Sequence, residues 1–473
     1  MSTDAQGQPP PRSAGGKTQK RLGFVDSLRG LAVVFMVPLH TSHGWVRPEA
    51  RSGELWHVSQ FFGGLAAPIF LTLTGVSLGL QWANQEARGQ TPNYLRDIGR
   101  GLQIMVLGYL LRLQMWVIDA GGYAQPRTYP AQLLLLGAYG LAYYAFGRLA
   151  QRPLHKLGLS LVAAGVFAFA MWLVSIYAPQ RARNLLRVDV LQCIGVSLVV
   201  LSALAALLFS PRDSGFFRAG ASRRRLAAAL GLPRRKRFGG IAAYLIAALA
   251  CALLSAWLWP RMPGALPEAL AGYFAQWPAT DGRPVMGLFP LFPWTAYALA
   301  GAAVGLHWGR AASSAGLQTS VVACVVCGAF IALFCGESWP IAHGILNVHG
   351  WLELPLRVAY KLGLVLVLSG VALADSVWLA AASRTHAEAP ASARALRAAG
   401  PSALMILGRA SLLVYWVHLE FAFGAASRPF ARRLDLFGWA VGSLILLCAM
   451  WLIAYVRVIR PRLRFRAQPL ASS

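Results

Sequence analysis

The stretch "DSLRGLAVVFMVPLHTSHGW" (26–45) decides how this chain is read. Its middle, "GLAVVFMVPL" (30–39), suits a lipid interior, yet Asp26 and Arg29 stand at its start and His40 and His43 at its end. A charged side chain at the centre of a bilayer costs about 2.5–3.5 kcal/mol on insertion scales, so such groups pair, face the bundle interior and mark function. Asp26 and Arg29 are three residues apart and can pair on one helix face; the plainest role for that pair is to fix the inner end of the helix. His40 is eleven residues beyond Arg29. At 100° and 1.5 Å per residue it returns to within about 20° of the same face, about 16 Å further along the axis. One stripe thus offers a cation at one end and an imidazole at the other.

Working outward, 57% of the residues are hydrophobic and only 13% charged. Apolar runs of about 20 residues recur, each able to cross a hydrocarbon core, which predicts an all-α, polytopic transmembrane helix bundle and not a soluble protein. Residues 1–22 are rich in Pro, Gly and Ser, lack an apolar core and an A-x-A-like site, and read as a disordered cytoplasmic tail before an uncleaved first helix. Twelve spans are expected, starting near 24, 58, 99, 129, 157, 187, 239, 286, 318, 352, 402 and 436. They form one transmembrane domain, 23–459, with cytoplasmic loops at 210–238 and 381–401 and a cytoplasmic tail at 460–473.

The net charge of +27 invites a nucleic-acid partner, but its distribution argues against one. With the N-terminus inside, the inner segments carry 28 of the 44 Lys and Arg and the outer loops 11. That is the positive-inside bias, and it places both termini in the cytoplasm of a multi-pass inner (cytoplasmic) membrane protein. The densest patch, "SRRRLAAALGLPRRKRFGG" (222–240), is a topology signal that can also touch anionic head groups. The six cysteines all fall in apolar spans; even the C-x-x-C of Cys324 and Cys327 has no second pair and no nearby His, so it reads as packing and no metal site is expected. "GAAVG" (301–305) reads as a helix-packing motif.

Other polar groups cluster by topology. His57 closes the outer loop that follows the first helix, so three histidines fall within 18 residues at one face. Imidazole suits general-base work near neutral pH, and His40 and His57 are both candidates for that base. "RVDVLQ" puts Arg187, Asp189 and Gln192 at the outer end of the sixth span. "FPLFPWTAY" (289–297), whose prolines restrict the backbone, sits at the outer end of the eighth. Glu353, Arg357 and Lys361 form a ladder in the tenth, and Ser411, Tyr415 and His418 share a face of the eleventh. Together these segments imply a polar chamber open to the extracytoplasmic side.

"RLGFVDSLRGLAVVFMVPLH" (21–40) resembles the opening signature of the heparan-alpha-glucosaminide N-acetyltransferase family, which groups with other multi-spanning acyltransferases, including the acyltransferase-3 type. "APIFLTLTGVSLGL" (67–80), "RVDVLQCIGVSLVV" (187–200), "FPLFPWTAYALAGAAVG" (289–305), "LNVHGW" (346–351) and "ASLLVYWVHLEF" (410–421) resemble later family motifs in the same order. The resemblance implies transfer of an acyl group, typically acetyl in this family, from cytoplasmic acyl-CoA to an acceptor across the membrane, with no metal or bound cofactor. It also brings Trp294 into the expected binding set with Asp26, Arg29, His43, Arg187, Asp189, Gln192, Tyr415 and His418. In the animal enzyme the residue at the His40 position is asparagine and the catalytic histidine lies in the following loop, which a short gap places at His57. Acyltransferase-3 relatives instead put a histidine at the end of the first helix, as His40 is. The animal enzyme's luminal domain and preceding helix have no counterpart here, two hydrophobic segments (about 129–178) are extra, and its acceptor specificity does not carry over.

The expected function is therefore an integral membrane acyltransferase acting on a hydroxyl or amine of an extracytoplasmic glycan or envelope molecule. The alternative is a multi-spanning transporter or flippase, which would also need polar groups at membrane depth; no repeat relating the two halves supports it. The partners expected are the bilayer, acyl-CoA as co-substrate, an extracytoplasmic carbohydrate acceptor and, in one reading, a second copy of the chain in a homodimer.

Overall fold

The computed structural model describes residues 23–90, 92–118, 126–149, 151, 153–209, 239–262, 265–276, 287–311, 314–336, 353–382 and 401–466. The expected tail 1–22, the basic loop 210–238, nearly all of the loop 381–401 and "LNVHGW" lie outside them. The described residues form helices α1 (Gly23–Trp45), α2 (Gly53–Gly63), α3 (Ala66–Ala87), α4 (Tyr94–Ile118), α5 (Tyr129–Gly147), α6 (Pro153–Tyr177), α7 (Pro179–Leu186) and α8 (Val190–Phe209). They continue with α9 (Gly239–Leu258), α10 (Glu268–Phe274), α11 (Leu291–Arg310), α12 (Ser314–Cys335), α13 (Glu353–Ala382), α14 (Ala403–Arg409), α15 (Ser411–Phe423) and α16 (Leu436–Arg466). No strand occurs among them, and the chain is an all-helical, multi-pass membrane protein.

Nine helical segments among the described residues are long and apolar enough to cross a membrane, or ten when the bent pair α14–α15 is counted as one. Twelve were expected. The two expected spans outside this set are α5 and α11, where Tyr, Gln, Thr, Trp and Gly dilute the apolar run. For α11 the reason is its place: most of its side chains are buried against other helices, so they need not match lipid.

α11 and α3 form the centre of the bundle, and glycines set how closely they approach. A Cβ on Gly75 would lie 1.9 Å from the Ala298 carbonyl oxygen, and one on Gly301 would lie 2.1 Å from that of Thr72. Small residues let backbones meet where the hydrophobic effect cannot drive helices together, and "GAAVG" does this work here.

The eleventh span departs from the expected straight helix. α14 and α15 meet at Ala410 with a bend of 84°. α14 is pressed against the N-terminal end of α1, where a Cβ on Gly408 would lie 1.7 Å from the Asp26 carbonyl oxygen. Arg409 Nε donates to Asp26 Oδ2 at 3.1 Å in the same place. That clamp holds α14 across the bundle while α15 runs on along the far half of α1.

Candidate active site

The far half of α1 is positioned by its own irregularity. Pro38 has no N–H to give the preceding turn, and the Pro38 carbonyl is bound sideways, accepting from Trp439 Nε1 at 3.2 Å and Thr41 Oγ1 at 3.1 Å. Thr41 also meets Ser443 of α16 at 2.7 Å. These bonds fix the last two turns of α1, which carry His40 and His43.

Two loop contacts complete the frame. Val46 pairs with Leu434, where Arg47 N donates to the Leu434 carbonyl at 3.0 Å. Val188 pairs with Gly287, where Leu288 N donates to the Val188 carbonyl at 3.1 Å. The second contact joins two sequence motifs about 100 residues apart, the one bearing Arg187 and Asp189 and the one bearing Trp294.

Between these elements lies a cavity of about 880 Å³. His40, His43, Arg187, Asp189, Trp294 and Tyr415 all line it. His40 Nδ1 lies 2.8 Å from His418 Nε2, with the two rings nearly parallel. His418 is fully buried, and its Nδ1 lies 2.8 Å from the Val414 carbonyl. A carbonyl can only accept, so His418 Nδ1 carries the proton. In the neutral ring its Nε2 must then accept, and His40 Nδ1 must donate. This chain of assignments leaves His40 Nε2 with its lone pair. A base is thereby held in one tautomer on the cavity wall.

His57 is placed elsewhere. It sits on an exposed face of α2, its Nδ1 donating to the Gly53 carbonyl at 2.7 Å, and it is not among the residues lining the cavity. α2 presents Gln60 instead, whose Oε1 lies 2.8 Å from His43 Nε2. Gln192 is fully buried beneath Asp189, accepting from its backbone N–H at 3.2 Å.

Charge in the cavity is mostly positive. Among the described residues Arg112, Arg181, Arg187, Lys361 and Arg428 line it with one carboxylate, Asp189, which Arg112 engages at 2.8 Å. Arg112 lies within an apolar span, and its unfavourable depth is the sequence signal that an acidic partner exists. Arg428 gave no such signal, because an arginine in a loop needs no partner.

Asp26 and Arg29 lie at the opposite end of α1. Asp26 is buried and stands 3.9 Å from Arg29, but its shorter ion pair is the 3.1 Å contact with Arg409. Arg29 Nη2 donates to Ser77 Oγ of α3 at 2.9 Å.

Residues 21–129 match the family model described as heparan-alpha-glucosaminide N-acetyltransferase, catalytic. The match supports a heparan-alpha-glucosaminide N-acetyltransferase-like family for this chain. No curated protein matches it. The matched region runs from α1 to the start of α5, so it contains His40, His43, His57, Asp26 and Arg29. Arg187, Asp189, Trp294, Tyr415 and His418 lie beyond it and reach the same site through the fold.

Proposed function

We propose that the chain is an integral membrane acyltransferase. It moves an acyl group, acetyl by family likeness, from cytoplasmic acyl-CoA to a hydroxyl or amine of an extracytoplasmic glycan or envelope molecule. The observation that carries the reading is the His418–His40 pair, which leaves His40, on the wall of a cationic cavity, with one unprotonated imidazole nitrogen.

In this reading His40 Nε2 takes the acceptor proton as the acceptor oxygen or nitrogen attacks the thioester carbonyl. The carbon–sulfur bond breaks, the new ester or amide bond forms, and the proton passes from His40 to the departing thiolate. As His40 becomes cationic, His418 Nε2 keeps hold of its Nδ1 proton and so fixes the ring. Tyr415 lines the cavity and offers a hydroxyl to the developing oxyanion. Arg29, at the other end of α1, faces the cytoplasmic side in the expected topology and attracts the nucleotide phosphates of the donor. His57 takes no part in the step.

The test is transfer of label from radiolabelled acetyl-CoA to a panel of amino sugars and envelope glycans by the purified protein, with His40→Ala and His57→Ala beside it. Transfer that dies with His40→Ala and survives His57→Ala is the expected result. Transfer that dies with His57→Ala alone would overturn the assignment of the base. Absence of both acetyl-CoA binding and transfer would overturn the acyltransferase reading.

A further inference from the structure

A second cavity, of about 600 Å³, lies on the other side of α4. Leu110, Leu113 and Val117 of α4, Leu133 and Leu136 of α5 and Trp416 of α15 line it. Each of its two glutamines is tied to the protein through one polar atom: Gln114 Oε1 accepts from Trp416 Nε1, and Gln132 Nε2 donates to Thr128 Oγ1 at 3.3 Å. Tyr129 completes the lining, and the wall is otherwise almost wholly hydrocarbon. Leu133 and Leu136 are 70% and 52% exposed on the outside of the helix bundle, where the neighbour is lipid.

This groove and the cationic cavity share two helices. On α4, Leu111, Arg112, Met115 and Trp116 face the cavity while Leu110, Leu113 and Val117 face the groove. On α15, Tyr415 faces the cavity and Trp416 the groove. An apolar slot therefore runs beside a chamber whose described lining holds five cations and one carboxylate. Within that chamber Arg187 buries its Nε without a hydrogen-bond partner among the described residues. Water-soluble sugars have no use for the slot, and neutral lipids have none for the cations.

We infer that the acyl acceptor is an anionic lipid, with a hydrocarbon chain in the groove and a phosphate-bearing head group, itself carrying a free hydroxyl or amine, in the chamber. The inference rests on the acyltransferase reading and names its acceptor class. The head-group hydroxyl or amine loses its proton to His40 Nε2, its oxygen or nitrogen bonds to the acyl carbon, and CoA leaves as the thiol.

The experiment is native mass spectrometry of the full-length protein in neutral detergent, titrated with phosphatidylglycerol or with phosphatidylcholine of the same chains. Acetyl-CoA binding is measured in parallel. Phosphatidylglycerol is expected to saturate one site at a concentration about tenfold lower than phosphatidylcholine does. Arg187→Gln is expected to remove that preference, and Leu136→Trp to weaken both lipids about tenfold. Leu133→Trp, at the more exposed position, fills the groove with less demand on packing and is expected to do the same. Equal binding of the two lipids, binding that ignores both tryptophans, or a protein dimer formed without lipid at this face would overturn the inference. Loss of the acyltransferase reading has a separate signature: no acetyl-CoA binds, whatever the lipids do.

Discussion

The two ends of α1 carry similar numbers of polar groups and use them in opposite ways. At one end Asp26, Arg29, Arg409 and Ser77 spend their polarity on one another, and the helices around them are packed to backbone contact. At the other, His40 is held through a single nitrogen by His418 and stands on the wall of a cavity. The lesson is that charge at membrane depth does not by itself mark a reactive site. What distinguishes the two ends is whether a polar atom is aimed at protein or at space.

Four measurements would break or sharpen this contrast. The largest effect is expected from His40→Ala: loss of a positioned general base should lower transfer by about 10²–10⁴-fold with acetyl-CoA binding retained, read from label transfer and equilibrium binding. If the variant loses folding instead of rate, the two ends are alike and the comparison fails. Asp26→Asn should do the reverse, since it strands the buried Arg409 beside no carboxylate. A cost of about 3–5 kcal/mol is expected, seen as a lower unfolding temperature in detergent. A near-normal melting curve with lost transfer would move Asp26 to the functional side of the contrast.

His418→Ala leaves His40 free to change tautomer and should lower kcat by about 10²-fold with KM little changed, by the logic of imidazoles held in one tautomer by a partner. His418→Gln, which restores an acceptor for His40 Nδ1, should recover part of that loss; no recovery would mean that His418 serves packing alone. The smallest effect is expected from His57→Ala. As an exposed residue outside the cavity it should change rate and stability by about twofold or less.

Much of this architecture was legible from local pattern. The apolar runs gave the helices, and the ionisable residues within or just before them marked α1, the start of α8 and α15 as carriers of polar groups. Arg187, Asp189, Trp294 and Tyr415 were named from motifs, and the loop contact between Val188 and Gly287 is what brings the first three together. Periodicity could not supply three things. The direction His57 takes depends on how the short α2 lies against α1, which no spacing encodes. The bend at Ala410 depends on Gly408 meeting the backbone of α1, a contact between the two ends of the sequence. The choice of Arg409 over Arg29 as the closer partner of Asp26 depends on the same contact.

That contact also sets a schedule for the ribosome and the insertion machinery. Asp26 must wait for Arg409, 383 residues later, and His40 for His418, 378 residues later. At roughly 5–20 residues per second, α1 resides in or beside the membrane for about 20–80 s with its carboxylate and imidazole lacking those partners. A chain interrupted anywhere before α14 therefore holds Asp26 without its Arg409 contact and no assembled base. Such a fragment is chemically silent, because the site is completed only when α15 brings His418 to His40.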